Sequence, residues 1–142
     1  MTRRSSVGCA CAIVGILLLG APACVTFSKD VERARAHYDK SEFPEALALL
    51  RVIDDDVGAL SPRERVEYAY LRGMTDFHLA EASPGGATRD AFRAYATTYL
   101  KQAADLARAT PDGLGDLERV RLQQTLARLE GRADDADADQ AP

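Results

Sequence analysis

The sequence contains few of the residues that build disulfide scaffolds, metal centres or nucleophilic active sites. Its 142 residues include three cysteines, two histidines and no tryptophan. Neither His37 nor His78 has a cysteine or carboxylate at metal-ligand spacing. A glycine-rich phosphate loop and a nucleophile elbow are also missing. We therefore predict no catalytic residue, no metal and no cofactor, and we expect the protein not to be an enzyme.

Positive charge and β-forming patterns are scarce as well. Lysine and arginine number 18 against 22 acidic residues, which gives a formal charge of −4. A protein that holds nucleic acid needs a basic surface for the phosphates, so we expect no nucleic-acid partner. No stretch sustains the alternation of a strand, whereas apolar residues recur at helical spacing, so the sequence predicts an all-α fold.

The sequence also lacks an apolar run long enough to span a bilayer, which takes about 20 residues. Its longest run, Ala10 to Leu19, has instead the length of a signal-peptide core and follows the basic pair Arg3-Arg4. The small residues before Cys24, Ala21-Pro22-Ala23, match the A-x-A pattern of a signal-peptide cleavage site. We therefore predict that residues 1–23 are a signal peptide, cleaved before Cys24.

The stretch "LLLGAPAC", residues 17–24, resembles the lipobox of bacterial lipoproteins, although Ala21 stands where leucine is usual. The resemblance implies acylation of Cys24, hence a membrane anchor. Cys9 and Cys11 would leave with the signal peptide, so Cys24 would have no disulfide partner in its own mature chain. Soluble secretion after the same cut and an uncleaved anchor remain alternatives. Val25, rather than aspartate, is compatible with outer-membrane sorting, so we expect the protein in the cell envelope, lipid-anchored at the outer membrane and facing the periplasm.

The mature chain divides into three parts by composition. Residues 24–29 are the predicted lipidated tether, residues 30–131 a helical domain, and residues 132–142 an acidic tail without large apolar side chains, which we expect to be disordered. Removing the signal peptide takes away two arginines and no acid, so the formal charge changes from −4 to −6.

Apolar spacing and capping residues predict about five helices. Three local signals are specific. Ser61-Pro62-Arg63-Glu64 matches a capping box, Gly73 in mid-helix suggests a close approach of two helices, and Gly131 suggests a C-terminal stop. Asp54-Asp55-Asp56 is either a solvated helix end or part of a cation-binding or partner-binding edge. The predicted ranges are 28–41, 44–55, 62–80, 88–109 and 116–130.

The segment 34–53 resembles a tetratricopeptide repeat. Ala34, Phe43, Ala46, Leu50 and Ile53 match the family's pattern in order, with Ser41 at the place of the turn glycine. A second, degenerate unit can be placed on Gly73 and Phe77. The resemblance implies antiparallel helix pairs in an α-solenoid fragment; a small irregular bundle is the alternative.

Tetratricopeptide repeats bind partners with the inner face of each unit's first helix, and the resemblance carries this role to six residues. They are Arg35, Tyr38, Asp39, Glu67, Met74 and His78. We therefore expect a non-catalytic interaction scaffold, whose partners are the membrane through Cys24 and either another protein or a second copy of the chain. The alternative is an assembly factor that escorts a secreted subunit. Two and a half units fall below the ~3 repeats that such arrays need, so we expect help from self-association or a partner.

Overall fold

The computed structural model describes residues 23–138, with side chains for residues 28–131. The predicted signal peptide therefore lies outside the described residues, except for Ala23. The side chain of Cys24 and residues 139–142 at the end of the chain lie outside them as well.

The described chain consists of five α-helices and one 3-10 helix, and it contains no strand, which confirms the predicted all-α class. The 3-10 helix spans Asp54–Ala59 and directly follows the second α-helix. The α-helices are α1 (Ala23–Asp39), α2 (Phe43–Ile53), α3 (Pro62–Ala82), α4 (Ala87–Ala109) and α5 (Asp116–Ala138).

Helix α1 begins earlier than predicted. Its backbone is helical from Ala23, so α1 includes residues 24–29, the predicted tether, and starts five residues before Ser28, the predicted first residue of the helix. The Ser28 hydroxyl donates to Glu64 Oε1 at 2.5 Å. No proline or glycine lies between Ala23 and Ser28 to stop the helix. The Ser28 hydroxyl bonds to Glu64 on α3 and does not cap the start of its own helix.

Helix α5 ends later than predicted. It passes through Gly131 and ends at Ala138, so the predicted stop is wrong, and the predicted disordered tail, residues 132–142, is helical as far as Ala138. A glycine inside a helix costs only about 1 kcal/mol relative to alanine. Ala133, Ala136 and Ala138, which follow it, are the best helix formers among the amino acids.

The turn between α1 and α2 is a Schellman motif. The Glu42 N–H donates to the His37 carbonyl at 2.9 Å, and the Ser41 N–H donates to the Tyr38 carbonyl at 2.8 Å. Ser41 occupies the left-handed position of the motif with a φ of 62°. This is the position at which the repeat resemblance expects glycine.

The start of α3 has the predicted capping box. The Glu64 N–H donates to Ser61 Oγ at 3.3 Å, and the Ser61 N–H donates to Glu64 Oε2 at 2.8 Å. Pro62 occupies the first turn, where its missing N–H costs no helical hydrogen bond.

Helix α3 is the centre of the domain and is buried on both of its sides. It forms its largest interface with α4 and also packs against α1 and α2. At the crossing with α4, a Cβ on Gly73 would lie only 2.6 Å from Leu100 Cγ and 2.9 Å from the Leu100 backbone nitrogen. The predicted close approach at Gly73 is therefore confirmed. Within residues 23–138, no helix combines the length and the apolar character needed to cross a bilayer.

Candidate interaction face

The six residues predicted to bind a partner lie on α1 and α3, and the structure brings several of them into direct contact with one another. Arg35 contacts Glu67, and the ring of Tyr38 lies 5.9 Å from that of His78. Asp39 is exposed at the end of α1. Met74, in contrast, is only 4% exposed and belongs to the core.

The prediction that Met74 contacts a partner is therefore corrected. Repeat geometry would leave this side of α3 facing a groove, but the residues from Tyr68 to Phe77 are all buried. A partner cannot reach the Met74 side chain in this arrangement.

Arg35 joins three helices. Its Nε donates to Glu67 Oε1 on α3 at 2.5 Å, and its Nη1 donates to Glu118 Oε1 on α5 at 2.8 Å. Burial would lower the pKa of Arg35, but the two carboxylates outweigh it and raise the pKa above its ordinary value. The guanidinium therefore has a structural role, since it compensates two partly buried acids on different helices.

An aromatic cluster, defined as Tyr38, Phe43 and His78, lies beside Asp39 where α1, α2 and α3 meet. The Phe43 and His78 rings stack with centroids 4.4 Å apart, and Tyr38 contacts Phe43 edge to face at 5.7 Å. Burial raises the pKa of Tyr38 to about 12 and lowers the pKa of His78, so both rings are uncharged at neutral pH. All three residues remain partly exposed.

A second polar cluster lies on the other side of α3. Asp54 accepts hydrogen bonds from Arg72 Nη1 at 2.7 Å, from Tyr99 at 3.1 Å and from Tyr68. Burial would raise the pKa of Asp54, but the bonds from Tyr68 and Arg72 lower it below its usual value. The first residue of the aspartate triplet is thus bonded to the core helix, whereas Asp55 and Asp56 are exposed.

Asp76 is the buried carboxylate of this cluster. It is fully buried, and its Oδ2 accepts from Arg72 Nε at 3.1 Å. Burial raises the pKa of Asp76, an effect that the charge and hydrogen bond of Arg72 oppose. Burial alone would lower the pKa of Arg72. Because Arg72 forms ion pairs with both Asp54 and Asp76, its pKa is raised instead. We interpret the cluster as structural, since it links α3 to the 3-10 helix and α4.

Two clefts of the domain are open grooves on its surface. The larger lies between α4 and α5, has a volume of about 510 Å³ and is lined by Ala104, Ala107 and Leu122 with Arg108 and Arg119 at its edges. The smaller, about 320 Å³, lies between the first turns of α1 and α3. Among the described side chains, no three histidine, cysteine, aspartate or glutamate residues are placed to hold a metal ion.

Sequence reasoning missed two contributions to this face. Phe43 matched the repeat pattern but was not predicted to belong to the interaction face, where its ring contacts both Tyr38 and His78. Glu118 carried no signal, because a single acid on the last helix does not reveal its partner on the first. The chain matches no family model, no curated protein and no solved structure.

Proposed function

We propose that the chain is a non-catalytic interaction scaffold of the bacterial envelope, anchored through a lipid on Cys24 and binding a protein partner at the aromatic cluster. The observation that carries the binding role is the cluster itself. Tyr38, Phe43 and His78 present uncharged, partly exposed rings next to the exposed carboxylate of Asp39. Aromatic anchors rimmed by polar groups are typical of protein-binding surfaces.

The architecture that we propose is a tetratricopeptide-like fragment with α1/α2 and α3/α4 as antiparallel pairs. Three features support it. Ala34 and Ala46, the small residues of the first pair, are both fully buried, and Gly73 provides the close contact in the second pair. Helices α1 and α2 also share an extensive interface across a short turn.

The anchor is tested by fatty-acid labelling in a bacterial host. We expect the wild-type chain to incorporate labelled fatty acid and to sediment with membranes. Cys24→Ala should lose the label and remain outside the membrane fraction. Because soluble secretion predicts cleavage at the same bond, an unlabelled wild-type chain would rule out the lipid anchor.

The binding face is tested by placing a photo-crosslinking amino acid at Asp39 in the full chain, with Asp105 as the control. Both carboxylates are exposed, but Asp105 lies on α4, away from the cluster. We expect an envelope protein to be captured from Asp39 and not from Asp105, and we expect His78→Ala to reduce the yield. Equal capture at both positions rejects the proposed face. Capture of a secreted subunit in transit favours the escort function instead.

A further inference from the structure

Helix α1 joins the predicted lipidation site directly to the folded domain. Its backbone is helical without a break from Ala23 to Asp39, so Cys24 lies in its first turn. Residues 24–29 therefore rise by about 1.5 Å each, or roughly 9 Å together. The same six residues in an extended conformation would span about 20 Å. A lipid on Cys24 is thus connected to the domain by a short helical link.

The helix that forms this link is fixed to the domain along its length. Ser28, one turn after Cys24, contacts Glu64 on α3 at 2.5 Å. Val31 and Ala34, which are 2% and 0% exposed, then pack into the core. Because these contacts begin at Ser28, α1 cannot swing about the domain as a hinged stalk would. The anchor residue and the domain therefore move as one body.

The aromatic cluster lies at the other end of the same helix. Contacts between α1 and α3 advance together along the two helices, since Ser28 meets Glu64 and Tyr38 lies beside His78. Tyr38 follows Cys24 by 14 positions, which is a rise of about 21 Å. Neighbouring helices are spaced by about 10 Å, so the whole cluster lies within about 25 Å of Cys24.

This distance limits where the cluster can meet a partner. With the lipid in the bilayer, the cluster is confined to a layer about 25 Å thick at the membrane surface. A partner fixed further from the membrane lies out of reach. A partner held in the same membrane shares the layer, and the confinement of both proteins raises their effective concentration.

The small size of the cluster makes this gain important. All three rings are only partly exposed, so they offer much less than the roughly 800 Å² per partner of a stable interface. A site of this kind binds weakly when its partner diffuses freely in three dimensions. Confinement to one membrane compensates for weak binding without any additional contact.

We propose that the partner of the aromatic cluster is a protein held in the same membrane as this chain, with its binding segment within about 25 Å of the bilayer. The inference rests on the proposed function, both for the lipid anchor and for the binding face. It adds the location of the partner, which the proposed function leaves open.

The reach is tested first, by energy transfer in the lipidated full chain reconstituted in phospholipid vesicles. A donor dye is placed on Asp39→Cys and an acceptor dye on the lipid headgroups. Once residues 1–23 are removed and Cys24 is acylated, the new thiol is the only free one. A 20-residue Gly-Ser spacer between Val25 and Thr26 adds about 25 Å of flexible chain. The same spacer appended after Pro142 is the matched control.

We expect a donor–bilayer distance of at most about 30 Å with the native link, unchanged transfer in the control and clearly weaker transfer with the spacer after Val25. Equal transfer with and without that spacer overturns the inference, because the native link would then already be long and flexible. A chain that shows neither transfer nor incorporated fatty acid instead rejects the lipid anchor of the proposed function. Circular dichroism confirms that each variant is folded.

The location of the partner is tested by photo-crosslinking from Asp39 in the bacterial host, with the same two spacer variants. We expect the captured protein to sediment with membranes also in cells that lack this chain. The yield should fall about twofold with the spacer after Val25, because the spacer doubles the thickness of the accessible layer. The spacer after Pro142 should leave the yield unchanged.

A captured protein that is soluble in cells lacking this chain overturns the inference. A yield that the spacer after Val25 leaves unchanged overturns it as well, because a freely diffusing partner has the same concentration at every distance from the membrane. Normal energy transfer without any capture from Asp39 rejects the binding face itself, and with it a partner at this site.

Discussion

Arg35 and Glu118 are separated by 83 positions in the chain, yet Arg35 Nη1 lies 2.8 Å from Glu118 Oε1. The same guanidinium holds Glu67 at 2.5 Å. One cation in the second half of the first helix therefore determines how two acids on α3 and α5 can approach each other. Removing it would leave both carboxylates close together without a compensating charge.

We expect Arg35→Met, which keeps the aliphatic stem, to lower the free energy of unfolding by roughly 1–2 kcal/mol. Adding Glu118→Gln should recover part of this loss, because only one acid then remains at the site. Urea titration of the two single variants and the double variant measures the coupling. Arg33→Met, at a guanidinium that is 65% exposed, is the control and should change the value by less than about 0.5 kcal/mol. Equal losses at Arg35 and Arg33 would contradict the role of Arg35.

Gly73 and Gly131 provide a matched pair of helical glycines. At Gly73 a Cβ would meet the side chain and backbone of Leu100, whereas at Gly131 nothing lies within 4 Å. We expect Gly73→Ala to destabilise the domain by roughly 1–3 kcal/mol, despite alanine's better helix propensity, because α4 must move. Gly131→Ala should instead stabilise it by up to about 1 kcal/mol. Thermal and urea unfolding check both values; a stabilising Gly73→Ala would show that the crossing of α3 and α4 is looser than described.

Ser41 holds a left-handed conformation that is unfavourable for a residue with a Cβ. We expect Ser41→Gly to raise the free energy of unfolding by roughly 0.5–1 kcal/mol, because glycine adopts this conformation without the steric cost. The control is Ala48→Gly on the exposed side of α2, which should lower stability by about 1 kcal/mol. If both glycines destabilise equally, the strain at Ser41 is too small to matter.

Glu64 makes stability depend on pH. Hydrogen bonds from Ser28 and then from Ser61 lower the pKa of this carboxyl below its ordinary value of 4.5. The unfolded chain therefore binds more protons between the two values. The contribution of the carboxylate is complete above about pH 4.5 and is lost as the pH falls through the folded value.

We expect Glu64→Gln to reduce the unfolding midpoint at pH 7 and to reduce it less at pH 3, because the contribution of the wild-type carboxylate declines as the pH falls below about 4.5. Ser28→Ala should cause a smaller change in the same direction. Thermal unfolding at both pH values provides the measurement. A gap between wild type and Glu64→Gln that is the same at both pH values would show that the charge of Glu64 contributes nothing.

Local features of the fold were predictable from sequence because neighbouring residues determine them. The capping box at Ser61 needs only residues 61–64, and Gly73 in mid-helix indicates a close contact without naming the partner. The ends of α1 and α5 were less predictable, because Ser28 and Gly131 are compatible with a helix end and with its interior. At Ser28 the tertiary contact with Glu64 accompanies a helix interior, whereas at Gly131 the alanines that follow allow the helix to continue.

The candidate site depends on contacts that sequence spacing does not contain. Periodicity placed Tyr38 and His78 on helix faces, and the rings do meet. It could not show that Met74 would be buried, since α3 has apolar residues on both sides. The prediction that Arg35 and Glu67 bind a partner remains a prediction, but their mutual contact means that charge reversal there would also disturb the fold.

The central position of α3 has a consequence for cooperativity. In a simple repeat array each unit contacts only its neighbours, so segments can unfold separately. Here α1, α2 and α4 pack against α3, and α5 reaches it through Arg128. None of α1, α2 and α4 can leave α3 without exposing its buried face, so these four helices should unfold in one transition, with the amides of α3 exchanging their hydrogens only through global unfolding.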